Sequence, residues 1–324
     1  MRRVTGLILA GLGAFLLVMA AALRMYMPGQ VVKFPLNEYL VATLVGHNVS
    51  YFSPAKVRPV TGATMTVTST LKSVSGEGNA STAVWDQFNY LYDQTNHQQF
   101  QYSITRFAFN RRTAQLMNCC GANVNGNPKI VQTGLASGLW PMGTQQRTYQ
   151  QFDATAGKAV PVRFAGTGTV SGIRVYKFVE RVSNLKVGSQ TLPASLVGLK
   201  GNANVTLPEY YTAANTYWVD PVTGAQLNEV EKQHLSLAGA GGQGHLLLLN
   251  ASLTFTPQSL AKVVGVDNAA RTKVSLLTVI APIAAGVLGL VGLIAGLLLA
   301  WPRREGRHGY EAPPQTAPIL DPAR

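Results

Sequence analysis

An uncharged apolar run, Val274 to Ala300, constrains this chain more than any other stretch in it. As a helix it would be roughly 40 Å long, enough to cross a bilayer core of about 30 Å with some tilt. It is too apolar all round for the surface of a globular domain. A second run, Val4 to Leu23, follows Met1-Arg2-Arg3 near the other end. Ala20-Ala21-Ala22 offers small residues at a cleavage point. The run nevertheless exceeds the roughly 7–15 residues of a signal peptide's apolar region, so an uncleaved signal anchor is the reading taken.

These runs organise the chain. Residues 1–3 form a short N-terminus, 4–23 a transmembrane helix, 24–273 a large domain, 274–301 a second transmembrane helix and 302–324 a Pro-rich tail expected to be disordered. Arg2 and Arg3 at one end, and Arg303, Arg304 and Arg307 at the other, read as cytoplasmic flanks. The expected topology is a two-pass plasma-membrane protein with both termini cytoplasmic and the large domain extracytoplasmic. Small residues recur within the spans, Gly6, Ala10 and Ala14 in the first and Gly292 and Gly296 in the second. Such stripes permit close packing of helices within one chain or between copies. Pro282 is expected to kink the second helix. Neither span carries Asp, Glu, Lys, Arg or His, which argues against an ion path through these two helices alone.

The formal net charge is +13 from 27 basic and 14 acidic residues. Six of the former and three of the latter lie outside 24–273, so the domain itself carries +10. A basic surface suits anionic lipid headgroups or acidic glycans, or is simply solvated. Without a basic helix or an aromatic RNA-binding signature, nucleic acid is not expected.

Within 24–273 the pattern is that of strands. Residues 30–51 read as an entering strand. Residues 63–74 alternate and are rich in Thr and Val, while 85–92 and 100–109 alternate aromatic with polar residues. A further strand series runs from 147 to 187, with Gly166, Gly168 and Gly172 expected at turns. Asp220-Pro221-Val222-Thr223-Gly224 has the residues of a type I turn and closes the clearest hairpin. Residues 245–256 form another strand, after which Thr256 caps a helix opened by Pro257. Strand signals at intervals of about 8–12 residues predict a mainly β domain, a sandwich or barrel-like antiparallel sheet flanked by the two single transmembrane helices.

Candidate chemistry is sparse. Cys119 and Cys120 are the only cysteines, adjacent in Asn-Cys-Cys-Gly. An exported chain with two cysteines favours a vicinal disulfide, with an interchain bridge or two free thiols as alternatives. The sequence Gly239 to Gly244 matches GxGxxG formally, but a strand rather than a helix follows, so it reads as a hairpin loop. The five histidines share no ligand spacing, and neither a metal nor another cofactor is expected. Asp86 with Asp93 and Glu229 with Glu231 are the carboxylate pairs to weigh for hydrolysis. The second pair would share a strand face and is read as a solvated edge. Tyr210, Tyr211 and Trp218 fit core positions better than a ligand surface. No catalytic motif is present, and a non-enzymatic role is expected.

Several segments together resemble an actinobacterial family of two-pass membrane proteins of unknown function, the porin PorA-like family. They are Val32-Lys33-Phe34-Pro35-Leu36, Asn118 to Gly121, and Gly138-Leu139-Trp140-Pro141-Met142-Gly143. Thr148-Tyr149 with Phe152-Asp153, Gly172 to Phe178, and Tyr217 to Gly224 complete the pattern. The resemblance covers nearly the whole chain and implies a cell-envelope protein, with no catalytic residues to carry over.

The leading expectation is that the extracytoplasmic β domain binds or transfers an amphiphilic envelope component, a lipid or glycolipid. An oligomeric channel or porin subunit is the alternative, and a scaffold for envelope-assembly proteins a third. The expected partners are membrane lipids, an envelope glycolipid or other envelope proteins, and further copies of the chain.

Overall fold

The computed structural model describes residues 2–31, 33–201 and 203–301. The tail at 302–324, with Arg303, Arg304 and Arg307, lies outside them, as do Met1 and Val32 of the Val-Lys-Phe-Pro-Leu segment. The chain forms two compact units. One comprises the residues up to Leu23 with those from Ala281 onward, the other Arg24–Ile280.

The first unit pairs helix α1 (Arg2–Val31, running on into the second unit) with helix α3 (Ala281–Ala300). Both are long and apolar enough to cross a membrane. Their backbones meet at glycines. A Cβ on Gly296 would lie 2.6 Å from the Gly6 carbonyl, and one on Gly13 would lie 2.7 Å from that of Gly289. Gly292 faces Gly13, and Ala10 touches Gly296. Ala14, expected in this stripe, is exposed, and Gly13 takes its place. A helix of 3.6 residues per turn keeps one face by steps of four and then three, not four and four.

The second unit is one curled antiparallel sheet, a half-barrel. Its strands are β1 (Tyr39–Ser53), β2 (Arg58–Ser73), β3 (Thr82–Asp93), β4 (Gln98–Asn110), β5 (Leu116–Met117) and β6 (Asn123–Val124), then β7 (Tyr149–Asp153), β8 (Lys158–Val170), β9 (Ile173–Pro193), β10 (Asn204–Val219), β11 (Gln226–Ala238) and β12 (His245–Phe255). The order is β5-β4-β3-β2-β1-β12-β11-β10-β9-β8-β7, with β6 on β4. Two meanders thus join where the first long strand pairs with the last, Leu44 opposite Phe255. The outer edges approach through residues 134–136. Leu116 donates its N–H to the Gly134 carbonyl at 2.8 Å, and Leu135 donates to that of Gln150 at 2.7 Å.

The sheet class matches the sequence reading, but the details differ. Residues 30 and 31 are helical, and β1 starts only at Tyr39, beyond Pro35. Gly166 and Gly168 lie inside β8, where the register shifts between Phe164 and Gly166. Only Ser171-Gly172, both at positive φ, forms the turn to β9. Strands run longer than expected because bulges absorb irregular residues, as at Asn184 (φ 45°) within β9.

The main core packs Trp85, Phe107, Phe109, Trp140, Phe178 and Tyr217 from both meanders and the 134–143 loop. Trp140 stacks on Phe178 with ring centroids 4.4 Å apart. Helix α2 (Pro257–Ser275) begins as expected, the Thr256 hydroxyl accepting the Ser259 N–H at 3.2 Å. It buries Val263 and Val264 against Ile173, Val175 and Leu227. A π-helical turn, Leu276–Ile280, follows just ahead of Pro282. Proline has no N–H to give the Thr278 carbonyl four residues back, and the Arg24 guanidinium donates to that carbonyl instead, at 2.8 Å.

Candidate functional site

The inward side chains of the curled sheet enclose a cavity of about 300 Å³. Strand alternation builds its walls. From β1, β2 and β12 come Leu40, Leu44, Met65, Val67, Leu249 and Leu253, an apolar wall. From β3 and β4 come the neutral polar groups of Gln87, Asn89, Gln101 and Ser103. The wall from β7, β9 and β11 carries four carboxyl groups, Asp153, Glu180, Glu229 and Glu231. Among the described residues, no Lys, Arg or His lines the cavity, although the chain as a whole is strongly basic.

These acids are held by neutral donors. Asn215 on β10 donates to Glu180 Oε1 at 2.9 Å and Tyr217 to Oε2 at 3.3 Å. Gln226 donates to Glu229 Oε2 at 2.5 Å, and Gln233 to Glu231 Oε2 at 3.2 Å. Asp153 Oδ1 caps its turn by accepting from Thr155 and Ala156 at 2.8 and 3.0 Å. Burial pushes Glu180 up to about 8, with Asp153 adding to it and the bonds from Asn215 and Tyr217 opposing it. Burial and then Asp153 push Glu231 up to about 7. Glu229 is driven well above the carboxylate range by burial and by Glu231. These carboxyls therefore hold their protons to higher pH than free carboxylates do, able to donate to a hydroxyl when protonated and to pair with a cationic group when ionised.

Glu229 and Glu231 were expected at a solvated edge and face inward instead. Their period-two spacing told that they share a face. It could not tell which face curls inward, since that depends on β10 and β12 alongside. Asp153 and Glu180 carried no local signal. Of the other carboxylate pair, Asp86 binds the Arg106 guanidinium at 2.7 Å, and Asp93 accepts the Tyr51 hydroxyl at 2.6 Å.

Of the remaining sequence-predicted positions, those other than Tyr211 lie apart from the cavity. Cys119 and Cys120 are exposed free thiols, not the vicinal disulfide expected. The neighbouring Cys120 thiol, ahead of burial, pushes Cys119 up to about 11. Asp220, Pro221 and Gly224 form the expected turn, Asp220 Oδ1 accepting the Val222 N–H at 2.8 Å. Asp220 is also buried against Arg271 of α2 at 2.7 Å. Gly239 to Gly244 joins β11 to β12, Gly239 donating to the Gly244 carbonyl at 3.0 Å. Tyr211 lines the cavity, whereas Tyr210 and Trp218 alternate to the outer face.

A family model for porin PorA matches residues 5–298, which take in both helices and the whole sheet. The chain belongs to the PorA family. A porin PorA of Corynebacterium amycolatum is 23% identical over a match covering 48% of this chain and 51% of that protein. One from Corynebacterium resistens is 29% identical over 28% of this chain and 34% of its own length. The matches thus span about half of the first relative and a third of the second. PorA membership and the two apolar helices make this a membrane protein.

Proposed function

We propose that this PorA-family chain is a non-enzymatic envelope protein whose curled sheet holds an amphiphile. The supporting observation is the two-sided cavity, an apolar wall from β1, β2 and β12 facing a carboxyl and amide wall from β9, β10 and β11. An acyl segment suits the first. The second suits a hydroxyl-rich or cationic head, because protonated acids and amides both donate to and accept from hydroxyls, whereas ionised acids pair with cations. An anionic head inside the cavity is disfavoured, since none of the described basic residues lines it. At about 300 Å³ the space is at the small end for ligand sites and suits one chain segment with part of a head.

In this reading the chain is a two-pass protein of an actinobacterial plasma membrane, with its sheet on the extracytoplasmic side and both termini in the cytoplasm. Cysteine labelling of intact cells checks that orientation. Native mass spectrometry with lipid extraction of the purified full chain tests the binding reading. Recovery of a stoichiometric glycolipid or aminolipid is expected, and recovery of no amphiphile would sink it.

The relatives' name, porin, favours a second reading, a channel subunit. The interior of one sheet is crossed by the packed rings of Trp85, Phe107, Trp140 and Phe178, so conduction would call for assembly of several copies. Planar-bilayer recordings on purified protein separate the two readings: discrete conductance steps favour the channel, and silence removes it.

A further inference from the structure

We propose that the outer face of the sheet carries a second, independent site, a depression across β1, β12, β11 and β10 that binds a phosphate-type anion. It is lined by His47, Lys232 and His234 together with Thr212, Asn250 and Ser252, and among the described residues no carboxylate lines it. The register sets these groups side by side. Thr212, His234 and Asn250 occupy one row, and Lys232 and Ser252 the next. Rows two residues apart along a strand are separated by about 6.8 Å and neighbouring strands by about 4.8 Å, so one anion can reach several donors.

Two irregularities open the place. In β1, residues 46–49 bulge against β12, turning both His47 and Asn48 (φ 56°) outward. In β9, Asn184 bulges and donates its N–H to the Thr212 hydroxyl oxygen at 3.0 Å, which leaves the Thr212 proton free to donate. Between them, Ala214 presents only a methyl group beside Lys232, and Arg181 flanks it from β9. Bulges that re-aim side chains are characteristic of binding positions. Among the described residues, His47, Lys232, His234 and Arg181 take part in no ion pair. Alternation along β11 therefore sorts charge by face, Glu229 and Glu231 inward, Lys232 and His234 outward. The outer set is a convergent group of one lysine, two imidazoles and hydroxyl donors, with Arg181 alongside and no internal counter-ion among the described residues, the chemistry that receives a phosphate.

The phosphate could belong to a lipid headgroup or to a soluble ion, and the test separates these. The full chain in detergent is titrated calorimetrically with inorganic phosphate, with dihexanoyl phosphatidylglycerol and with dihexanoyl phosphatidylcholine. Two variants probe the site: Lys232→Gln with His234→Gln, and Ala214→Glu, which keeps every basic residue but sets a carboxylate in the gap. A third, Lys56→Gln with Arg58→Gln at the β1–β2 turn, removes the same kind of charge elsewhere. Binding of inorganic phosphate or phosphatidylglycerol is expected, at least roughly tenfold weaker in both site variants and nearly unchanged in the third. Phosphate binding assigns a soluble anion; phosphatidylglycerol binding without phosphate binding assigns a headgroup. The proposal is overturned if neither probe binds, if Ala214→Glu binds like wild type, or if the turn variant loses as much as the site variants. Thermal melts of each variant, all substituted on the outer face or at a turn, verify folding.

Discussion

The backbone N–H of Leu135 sits 2.7 Å from the Gln150 carbonyl, while the Leu135 carbonyl accepts the Phe152 N–H at 2.9 Å. With Gly134 bound to Leu116 on its other side, this short segment stitches edge strand β7 to β5 at one level of the curl. Gly134 permits it by adopting φ 81°, and a Cβ there would lie 2.6 Å from the Gln150 oxygen. Gly134→Val should therefore combine left-handed strain with a backbone clash and cost about 3 kcal/mol. Gly126→Ala, at φ 76° but facing open space, should cost only about 1 kcal/mol. Thermal unfolding in detergent followed by tryptophan fluorescence checks the contrast. Equal melting of the two variants would remove the stitch from the account of the fold.

The buried acids make stability depend on pH with a defined sign. Glu180 is pushed up to about 8 and Glu231 to about 7 in the folded protein, both above their unfolded values near 4.5. The folded state thus holds protons that the unfolded chain has released, and stability falls as pH rises from about 4.5 to 8 through these groups. Glu180→Gln keeps the shape and never ionises. It should flatten that decline and raise stability at pH 8, by roughly 5 kcal/mol as an upper bound from the size of the shift. Denaturant melts at pH 5 and pH 8 measure it. A Gln variant no more stable than wild type at pH 8 would show that Glu180 ionises there without cost.

Local chemistry in the chain announced some of this and was silent on the rest. Asp220 to Gly224 and the Thr256 cap were readable because a turn and a helix start are decided within a few residues. The antiparallel alternation was readable for the same reason. The pairing of β1 with β12 was not, because Leu44 and Phe255 meet only after the whole meander has formed. The acidic wall shares that fate. Asp153, Glu180, Glu229 and Glu231 come from three strands, and each one's direction is fixed by neighbours far along the chain. Cys119 and Cys120 were adjacent on the page, yet adjacency did not decide between a bridge and two thiols.

Close contact of α1 and α3 rests on the absence of side chains. A Cβ on Gly296 would meet the Ala10 N–H and the Gly6 carbonyl, whereas Gly11, on the opposite face of α1, has nothing within 4 Å. Gly296→Leu should force the helices apart and lower the thermal midpoint by several degrees, and Gly11→Leu should leave it unchanged. Disulfide trapping gives an independent readout. A Cβ on Gly286 would lie 3.8 Å from that of Ala20, a disulfide-compatible spacing, so Ala20→Cys with Gly286→Cys should crosslink within one chain on mild oxidation, on a background in which Cys119 and Cys120 are replaced by Ser. Crosslinks found only between copies would assign the glycine stripe to assembly.

The two walls of the cavity make separable predictions about its occupant. Ala42 lies on the apolar wall between Leu40 and Leu44 and is 8% exposed. Ala42→Trp fills the space an acyl segment would take without changing the acidic wall, so the amphiphile recovered per chain should drop roughly tenfold whatever its head. Glu229→Gln with Glu231→Gln leaves the volume and most hydrogen-bonding capacity but removes every charge those positions can carry. A hydroxyl-rich head should then bind nearly as before, because neutral amides replace protonated acids as partners. A cationic head keeps only Asp153 and Glu180 as ion-pair partners and should bind roughly tenfold more weakly or worse. Quantifying the bound lipid by mass spectrometry across both variants therefore names the head class. Full retention in Ala42→Trp would place the lipid outside the sheet altogether.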